Sequence, residues 1–294
     1  MSSTAFRVPL WIPVAFLAPA LVGLLVFRLA PILIAVVGGF TGTTLRGETT
    51  FVGLRNFADL VEDPSFWSSV KVTLLFNLII NPFQICCAMG LALLVLRPTR
   101  GVAFFRAAYL LPMTVSIALT SVIWAILLEP SVGPVNGLLK ALGLPPQRFF
   151  RSESQALTTL ILVATWKGAG YWMIFLLAGL LAIPKELHEA AAIDGASAWQ
   201  RFVRVTLPLM RRPLAFVLVA DTAINFLLFA PVYVITHGGP AGSTALLMFE
   251  AYQAAFALLN HGRSLAISSV ILVIIGVIAV LELRLFRPAG EGRS

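Results

Sequence analysis

Polar side chains inside long apolar runs are the residues of this sequence whose types and spacing could do chemistry. Within three such runs they recur at helical spacing: Asn77, Asn81 and Gln84; Lys167 and Tyr171; Asp221, Asn225 and Phe229. Charged and amide groups in a membrane span are costly and usually face the interior of a helix bundle or a pathway. Amides and carboxylates bind the hydroxyl groups of polar solutes, and aromatic faces cover their apolar surfaces. These residues are therefore candidates for lining a translocation cavity.

Two other interpretations of the same residues stay open. Asn and Gln side chains also hold helix to helix by hydrogen bonds, and Lys167 could simply neutralise Asp221. Alternatively, Asp221 or Lys167 could be the proton or ion site of a stand-alone secondary transporter. Folds of that class usually carry internal repeats, and no convincing repeat is found in this sequence.

The sequence contains no pattern that favours a membrane enzyme. The three histidines, His188, His237 and His261, show no metal-ligand spacing and no defensible nucleophile–base pair. Cys86 and Cys87 are adjacent, which disfavours a disulfide between them, so they are interpreted as packing residues. We expect no catalytic residue, no metal site and no cofactor bound by this chain.

The composition is that of a polytopic membrane protein. Of 294 residues 59% are hydrophobic and 12% charged, with a mean hydropathy of +0.93, whereas soluble domains are about 45–50% apolar. A span needs about 20 residues, and six runs reach that length. We expect an all-α fold in one transmembrane domain, residues 1–294, with spans near 11–37, 70–96, 107–127, 156–183, 214–235 and 265–286.

The polar stretch 184–208 separates two of these spans and reads as a short helix pair. Pro184 is a favourable helix start, and Gly195 permits a sharp turn. Ser197 and Gln200 form a Ser-x-x-Gln capping box for the second helix. Pro208 is expected to end that second helix before the fifth span.

Lysine and arginine placement orients the chain, because cytoplasmic loops are enriched in both. One side carries Arg7, Arg97, Arg100, Arg106, Lys185, Arg201, Arg204, Arg211, Arg212, Arg284, Arg287 and Arg293. Both termini and the stretch 184–208 are therefore predicted to be cytoplasmic. This bias also accounts for the net charge of +8, so no nucleic-acid partner is expected.

The stretch 184–208 resembles the cytoplasmic signature loop of permease subunits of bacterial ABC importers. The matching pattern is Glu189-Ala190-Ala191, three residues, Gly195, nine residues, then Val205-x-Leu207-Pro208. Further motifs resemble the maltose and glycerol-3-phosphate branch: F-V-G-L-x-N-F at 51–57, Leu111-Pro112, G-x-x-N-x-L-L at 133–139, Asp194-Gly195-Ala196, and the predicted external loop Gly238-Gly239-Pro240. The resemblance covers nearly the whole chain.

Several expectations follow from this resemblance. It implies a six-helix permease core whose cytoplasmic helix pair seats in an ATPase subunit through Glu189, Ala190, Ala191, Asp194, Gly195, Val205, Leu207 and Pro208. It also implies a second permease subunit, two ATP-binding subunits that hold ATP and Mg, an external substrate-binding protein, and a place in the bacterial inner membrane. The implied solute is a sugar or glycerol phosphate. His237 stands where many relatives have a third glycine, so the substrate pocket is not carried over.

Overall fold

The computed structural model describes residues 11–43, 49–97 and 100–286. The regular secondary structure of these residues is helical except for one short ribbon. They group into two compact units: the described residues of 1–62 with Ala251–Val270, and those of 63–250 with the described residues from Ile271 onward. The predicted charges at Arg7, Arg287 and Arg293 lie outside the described residues.

Sixteen helices and strands, numbered in chain order, make up the described ranges. They are α1 (Trp11–Leu24), α2 (Ala30–Gly38), β1 (Thr41–Thr43), β2 (Thr49–Phe51), α3 (Arg55–Glu62), α4 (Pro64–Leu94), α5 (Val102–Thr114), α6 (Ile117–Leu127), α7 (Pro134–Ala141), α8 (Glu153–Leu181), α9 (Lys185–Ile193), α10 (Ala198–Arg201), α11 (Leu207–Leu209), α12 (Arg211–Phe226), α13 (Leu247–Phe256) and α14 (His261–Leu285). Wider π-helical turns occupy Leu25–Leu29, Phe202–Thr206 and Val232–Thr236, and Phe149–Arg151 is a 3-10 turn.

Within the described ranges, four helical segments are long and apolar enough to cross a membrane. They are Val14–Gly38, Pro64–Leu94, Glu153–Leu181 and His261–Leu285, and the pair α5 and α6 makes a fifth if it counts as one span. An all-helical polytopic protein is therefore confirmed.

Two of the predicted spans are interrupted. The run 107–127 bends by 97° between α5 and α6, where Pro112 removes an amide donor from the last turn of α5. The run 214–235 leaves the helix after Phe226 and resumes as a π turn at Val232. This break precedes Pro231, and residues ahead of a proline disfavour the helical conformation.

The first unit contains a short ribbon that the sequence did not predict. Strands β1 and β2 pair antiparallel, with Gly42 opposite Thr50. The Asn56 side chain donates to the carbonyls of Gly39 and Thr41, each at 2.8 Å. These bonds fix α3 against the chain that leaves α2.

Helix α4 is the centre of the second unit, packing against both α8 and α12. Its start is fixed by Asp63, whose Oδ1 accepts from Ser65 N at 2.8 Å, with Pro64 at the first helical position. Phe76 of α4 belongs to one buried apolar cluster, and Met89 of the same helix to another. Because lipid tails are as apolar as these side chains, close packing rather than transfer from water holds such helices together.

The expectation that Pro208 ends the second helix of the pair is wrong. The helical path runs through Pro208 to Leu209 in α11. A proline inside an α-helix clashes with the carbonyl four residues earlier. Here the residue four positions before the proline, Arg204, lies in the wider π turn Phe202–Thr206, which makes room for the ring.

Candidate functional site

The helix pair α9–α10 is built by local hydrogen bonds that the sequence predicts. Gly195 has φ +79°, and the amides of Gly195 and Ala196 donate to Ala192 O and Ala191 O at 3.1 and 2.9 Å. This is the Schellman ending of a helix, which favours glycine. The capping box is also present: Gln200 Oε1 accepts from Ser197 N at 2.8 Å, and Ser197 Oγ accepts from Gln200 N at 3.3 Å.

The outer surface of this pair is apolar and uncovered by the rest of the described chain. Ile193 is 86% exposed and Trp199 71% exposed, and Leu187 and Val203 are exposed as well. Beside them is a cavity of about 390 Å³ lined by Asp194, Gly195, Gln200, Arg204 and Val205 among others. Exposed large apolar groups of this density on a polar loop are typical of a protein-binding surface.

The predicted coupling residues do not all share this surface. Glu189, Ala190, Asp194 and Pro208 are exposed, and Ala191, Val205 and Leu207 are half-buried. Val205 joins Asp194 and Gly195 at the cavity.

Asp221 is the most deeply buried charged residue of the candidate pathway, with 0% exposure. Its Oδ1 accepts from the Trp172 indole N–H at 2.6 Å and from Gln84 Nε2 at 3.2 Å. One carboxylate oxygen therefore ties α12 to α8 and to α4.

A second chain of hydrogen bonds continues from the same helices. Asn225 Nδ2 donates to Asn81 Oδ1 at 2.8 Å, and Asn81 Nδ2 donates to Thr222 Oγ1 at 2.7 Å. Thr222 Oγ1 in turn donates to Glu282 Oε1 at 2.8 Å, which brings in α14. We call Asn81, Gln84, Trp172, Asp221, Thr222, Asn225 and Glu282 the buried polar cluster.

The buried polar cluster keeps unused acceptors. Among the described residues, no donor reaches the buried atoms Asp221 Oδ2, Gln84 Oε1 and Glu282 Oε2, nor Oδ1 of nearby Asn77. Neither carboxylate has an ion-pair partner within the described ranges. A cavity of about 610 Å³, mainly apolar, adjoins the cluster and is lined in part by Asn77, Asn81, Thr222 and Glu282. The arrangement can accept further hydrogen bonds if the helices shift.

Lys167 does not neutralise Asp221 within the described part of the chain. Its Nζ donates instead to Pro112 O at 3.0 Å and to Val115 O at 2.6 Å. Both carbonyls lie at the carboxyl end of α5, where the last turn lacks internal donors and a cation is favourable. One turn on, Gly170 lets α8 approach the backbone at Tyr109, which a Cβ would clash with. Lys167 therefore fixes the break between α5 and α6.

Two further predicted residues, Tyr171 and Phe229, take part in ring contacts and not in the hydrogen bonds described for the buried polar cluster. The Tyr171 ring contacts Trp172 and Phe175 edge-on, and the Phe229 ring stacks on Tyr233 with centroids 5.2 Å apart. The candidate pathway residues thus belong to two neighbouring hydrogen-bonded groups, one around Asp221 and one around Asn81, and to several separate contacts.

The predicted external loop has its own hydrogen bonds, which do not involve the buried polar cluster. Gly238, with φ +81°, and Gly239 precede Pro240. Thr244 Oγ1 lies 2.8 Å from Gly239 O and 2.7 Å from Thr236 Oγ1.

Sequence reasoning missed Thr222 and Glu282 and gave Trp172 no specific role. Thr222 is adjacent to Asp221 but off the i, i+4 face that the pattern followed. Glu282 is near the end of the most apolar span, where its charge is a signal that went unused. Nothing in the sequence around Trp172 indicated that its indole N–H would bind Asp221.

Replacing Asp221 tests the tie between α8 and α12. Asp221→Ala leaves the buried Trp172 N–H without an acceptor, so we expect a loss of about 1–3 kcal/mol in the free energy of unfolding. Asp221→Asn keeps an oxygen acceptor and should lose less. The measurement is detergent-induced unfolding of the purified protein, with Trp172→Phe added to each variant as a double-mutant cycle. Equal stability of the Ala and Asn variants would contradict this role.

Lys167→Met tests the cap on the break. We expect the angle between α5 and α6 to become variable, because two bonds to a charged donor, each worth about 1.5–3 kcal/mol, are lost. Spin labels at the exposed Phe104 and Ile126 report the spread of interhelical distances by pulsed electron resonance. Lys185→Met is the matched control outside the spans. A distance distribution as narrow as that of the unsubstituted chain would refute the assignment.

Comparison with known proteins places this geometry in a family. Residues 64–287 match the family model described as binding-protein-dependent transport system inner membrane component. The chain is 34% identical over 279 residues to the sn-glycerol-3-phosphate transport system permease protein UgpA of Brucella abortus, covering 93% of this chain and 94% of the relative. It is 32% identical over 277 residues to the trehalose/maltose transport system permease protein MalF of Thermococcus litoralis, covering 92% and 91%.

A solved structure has the same fold. It is the crystal structure of a bacterial ABC transporter involved in the import of the acidic polysaccharide alginate, with TM-score 0.80, 23% identity and 96% of each chain covered. The resemblance predicted from the sequence is confirmed. The chain belongs to the family of inner-membrane permease components of binding-protein-dependent ABC transporters, and within it is similar to the glycerol-3-phosphate and maltose permeases.

Proposed function

We propose that this chain forms half of a translocation pathway in an ATP-driven importer and is coupled to an ATPase subunit through residues 184–208. As the permease component, it is a transport subunit and not the catalytic one. A second permease would supply the other half, and two ATPase subunits would bind ATP and Mg. An external binding protein would deliver the solute. The observation that carries the coupling role is the exposed apolar surface of α9 and α10 around Ile193 and Trp199.

The proposed topology is six spans in one domain, residues 1–294, with both termini cytoplasmic. In this topology α5 and α6 together form one span. Helix α12 and the π turn Val232–Thr236 together form another. In Val14–Gly38 no residue of the apolar window is buried by its own chain, so lipid or another subunit must cover it.

The proposed solute is a sugar or a glycerol phosphate. The support is the similarity to relatives named for sn-glycerol-3-phosphate and for trehalose/maltose transport, together with the hydroxyl-binding chemistry of the buried polar cluster. Asn77, Lys167, Tyr171 and Phe229 stay candidate pathway residues outside that cluster. Identifying the ligand that co-purifies with the cognate binding protein tests this assignment.

Substitutions of Gly195 test coupling directly. No atom lies within 4 Å of a Cβ placed there, so Gly195→Ala adds only the left-handed backbone cost of roughly 1–2 kcal/mol. We expect a few-fold loss of uptake at most. Gly195→Trp adds the same backbone cost and also projects bulk from the outer surface of the pair. We expect more than tenfold loss of ATP-driven uptake while the complex remains assembled.

The measurement is ATP-dependent uptake by the reconstituted complex with its binding protein. Gly143→Trp is the matched control, because Gly143 also has positive φ, +73°, and open space around its Cβ, but lies in the turn after α7. Equal uptake by Gly195→Trp and Gly195→Ala would count against coupling through this surface. Uptake by the chain alone, without an ATPase subunit, would overturn the proposed function as a whole.

A further inference from the structure

A groove lies where α4 and α8 end and the chain enters the helix pair. It has a volume of about 350 Å³ and is lined by Arg97 after α4, His188 of α9 and Arg201 of α10, with apolar walls that include Leu180 and Phe202. We call it the basic groove. No aspartate or glutamate of the described chain lines it.

The two arginines of the basic groove have no counter-charge. In the part of the chain that the structure describes, neither Arg97 nor Arg201 makes a salt bridge or a side-chain hydrogen bond. Arg201 and His188 are half-buried rather than fully in solvent. Unpaired guanidinium groups that converge on one concave site favour an anionic ligand, which they can bind by two parallel hydrogen bonds each.

The arginines are not needed to cap α4. That role belongs to Arg106, whose Nη2 donates to Val95 O at 2.7 Å at the carboxyl end of the helix. The carboxyl end of α4 has a partial negative charge, and it already binds the cationic side chain of Arg106. The buried Nε of Arg106 has no acceptor within the described ranges.

The basic groove lies at the ends of two candidate membrane spans. The two candidate spans Pro64–Leu94 and Glu153–Leu181 both end at it, and Arg97 follows three residues after Leu94. Leu93, Leu180 and Phe202 line the side that continues into the spans. The groove thus has a charged mouth and an apolar wall, which suits a ligand with a phosphate group and a hydrocarbon chain.

We propose that the basic groove binds the phosphate of an anionic phospholipid headgroup, with the start of an acyl chain against Leu93, Leu180 and Phe202. Basic pockets between helices on the cytoplasmic side of a membrane bind anionic headgroups in this manner. The bound lipid would lie between the ends of α4 and α8 and the helix pair, and so would brace α9 and α10 against the membrane surface. The proposal rests on the proposed cytoplasmic orientation of residues 184–208, but not on coupling to an ATPase.

The test uses the full complex, purified from vesicles of phosphatidylcholine mixed with phosphatidylglycerol, and counts retained lipid by native mass spectrometry. The unsubstituted complex should retain phosphatidylglycerol in preference to phosphatidylcholine. In the double variant Arg97→Gln/Arg201→Gln we expect roughly 25-fold weaker retention, because each basic group near the surface contributes about fivefold in affinity. The double variant Arg211→Gln/Arg284→Gln, which removes the same charge away from the groove, should retain the lipid.

Three outcomes would overturn the proposal. Equal retention by both double variants would mean that the groove residues do not bind the lipid. Displacement of phosphatidylglycerol by millimolar inorganic phosphate would assign the site to a free anion. Loss of an ATPase subunit from Arg97→Gln/Arg201→Gln with the lipid count unchanged would assign the groove to a protein contact.

A milder variant covers the case in which Arg97→Gln/Arg201→Gln lowers both the lipid count and the unfolding temperature. His188→Gln alters the same groove without removing a guanidinium group. Weaker retention of phosphatidylglycerol at an unchanged unfolding temperature then supports the proposal, and unchanged retention overturns it. Uptake is measured separately, so its loss alone bears on the proposed function and not on the lipid site.

Discussion

The hydrogen bond from the Trp172 indole to the Asp221 carboxylate is the interaction on which the second unit depends most. A buried carboxylate without a cation is expensive in a membrane protein, so it persists only where donors converge on it. Here the donors come from two different helices, α8 and α4, at 2.6 and 3.2 Å. These bonds add a directional polar contact to the apolar packing of α12, in which Val217 belongs to a buried cluster.

The interrupted helices obey the same constraint. Backbone groups freed at a break need partners inside the protein when lipid surrounds it. Lys167 supplies them for α5. At the break after α12, the amides of Leu227 and Leu228 donate to Ile224 O and Asn225 O, each at 3.2 Å. One break is thus served by a side chain from elsewhere in the chain and the other by local backbone bonds.

How much the sequence predicted depends on how far apart the partners are. The capping box of Ser197 and Gln200 and the turn at Gly195 join residues within five positions, and both predictions are confirmed. The polar faces of α4 and α12 could also be predicted, because their polar residues recur at helical spacing. Their partners could not be predicted, because the Asn81–Thr222 bond joins residues 141 positions apart and no local pattern encodes it. The break capped by Lys167 escaped prediction for the same reason, while Pro208 was misjudged because the π turn before it leaves no sequence signal.

Helix α8 has a mechanical consequence. It runs for 29 residues without an internal proline, whereas α4 contains Pro82 and α5 contains Pro112. Along this one helix, Lys167 binds the end of α5 and Trp172 binds α12. Three residues past Ala182 the chain enters α9. A displacement of α9 would therefore move both interrupted spans together, because α8 would bend little between them. The lever arm from Lys167 to Leu181 is about 21 Å at 1.5 Å per residue, long enough to turn a small tilt at one end into a displacement of several ångströms at the other.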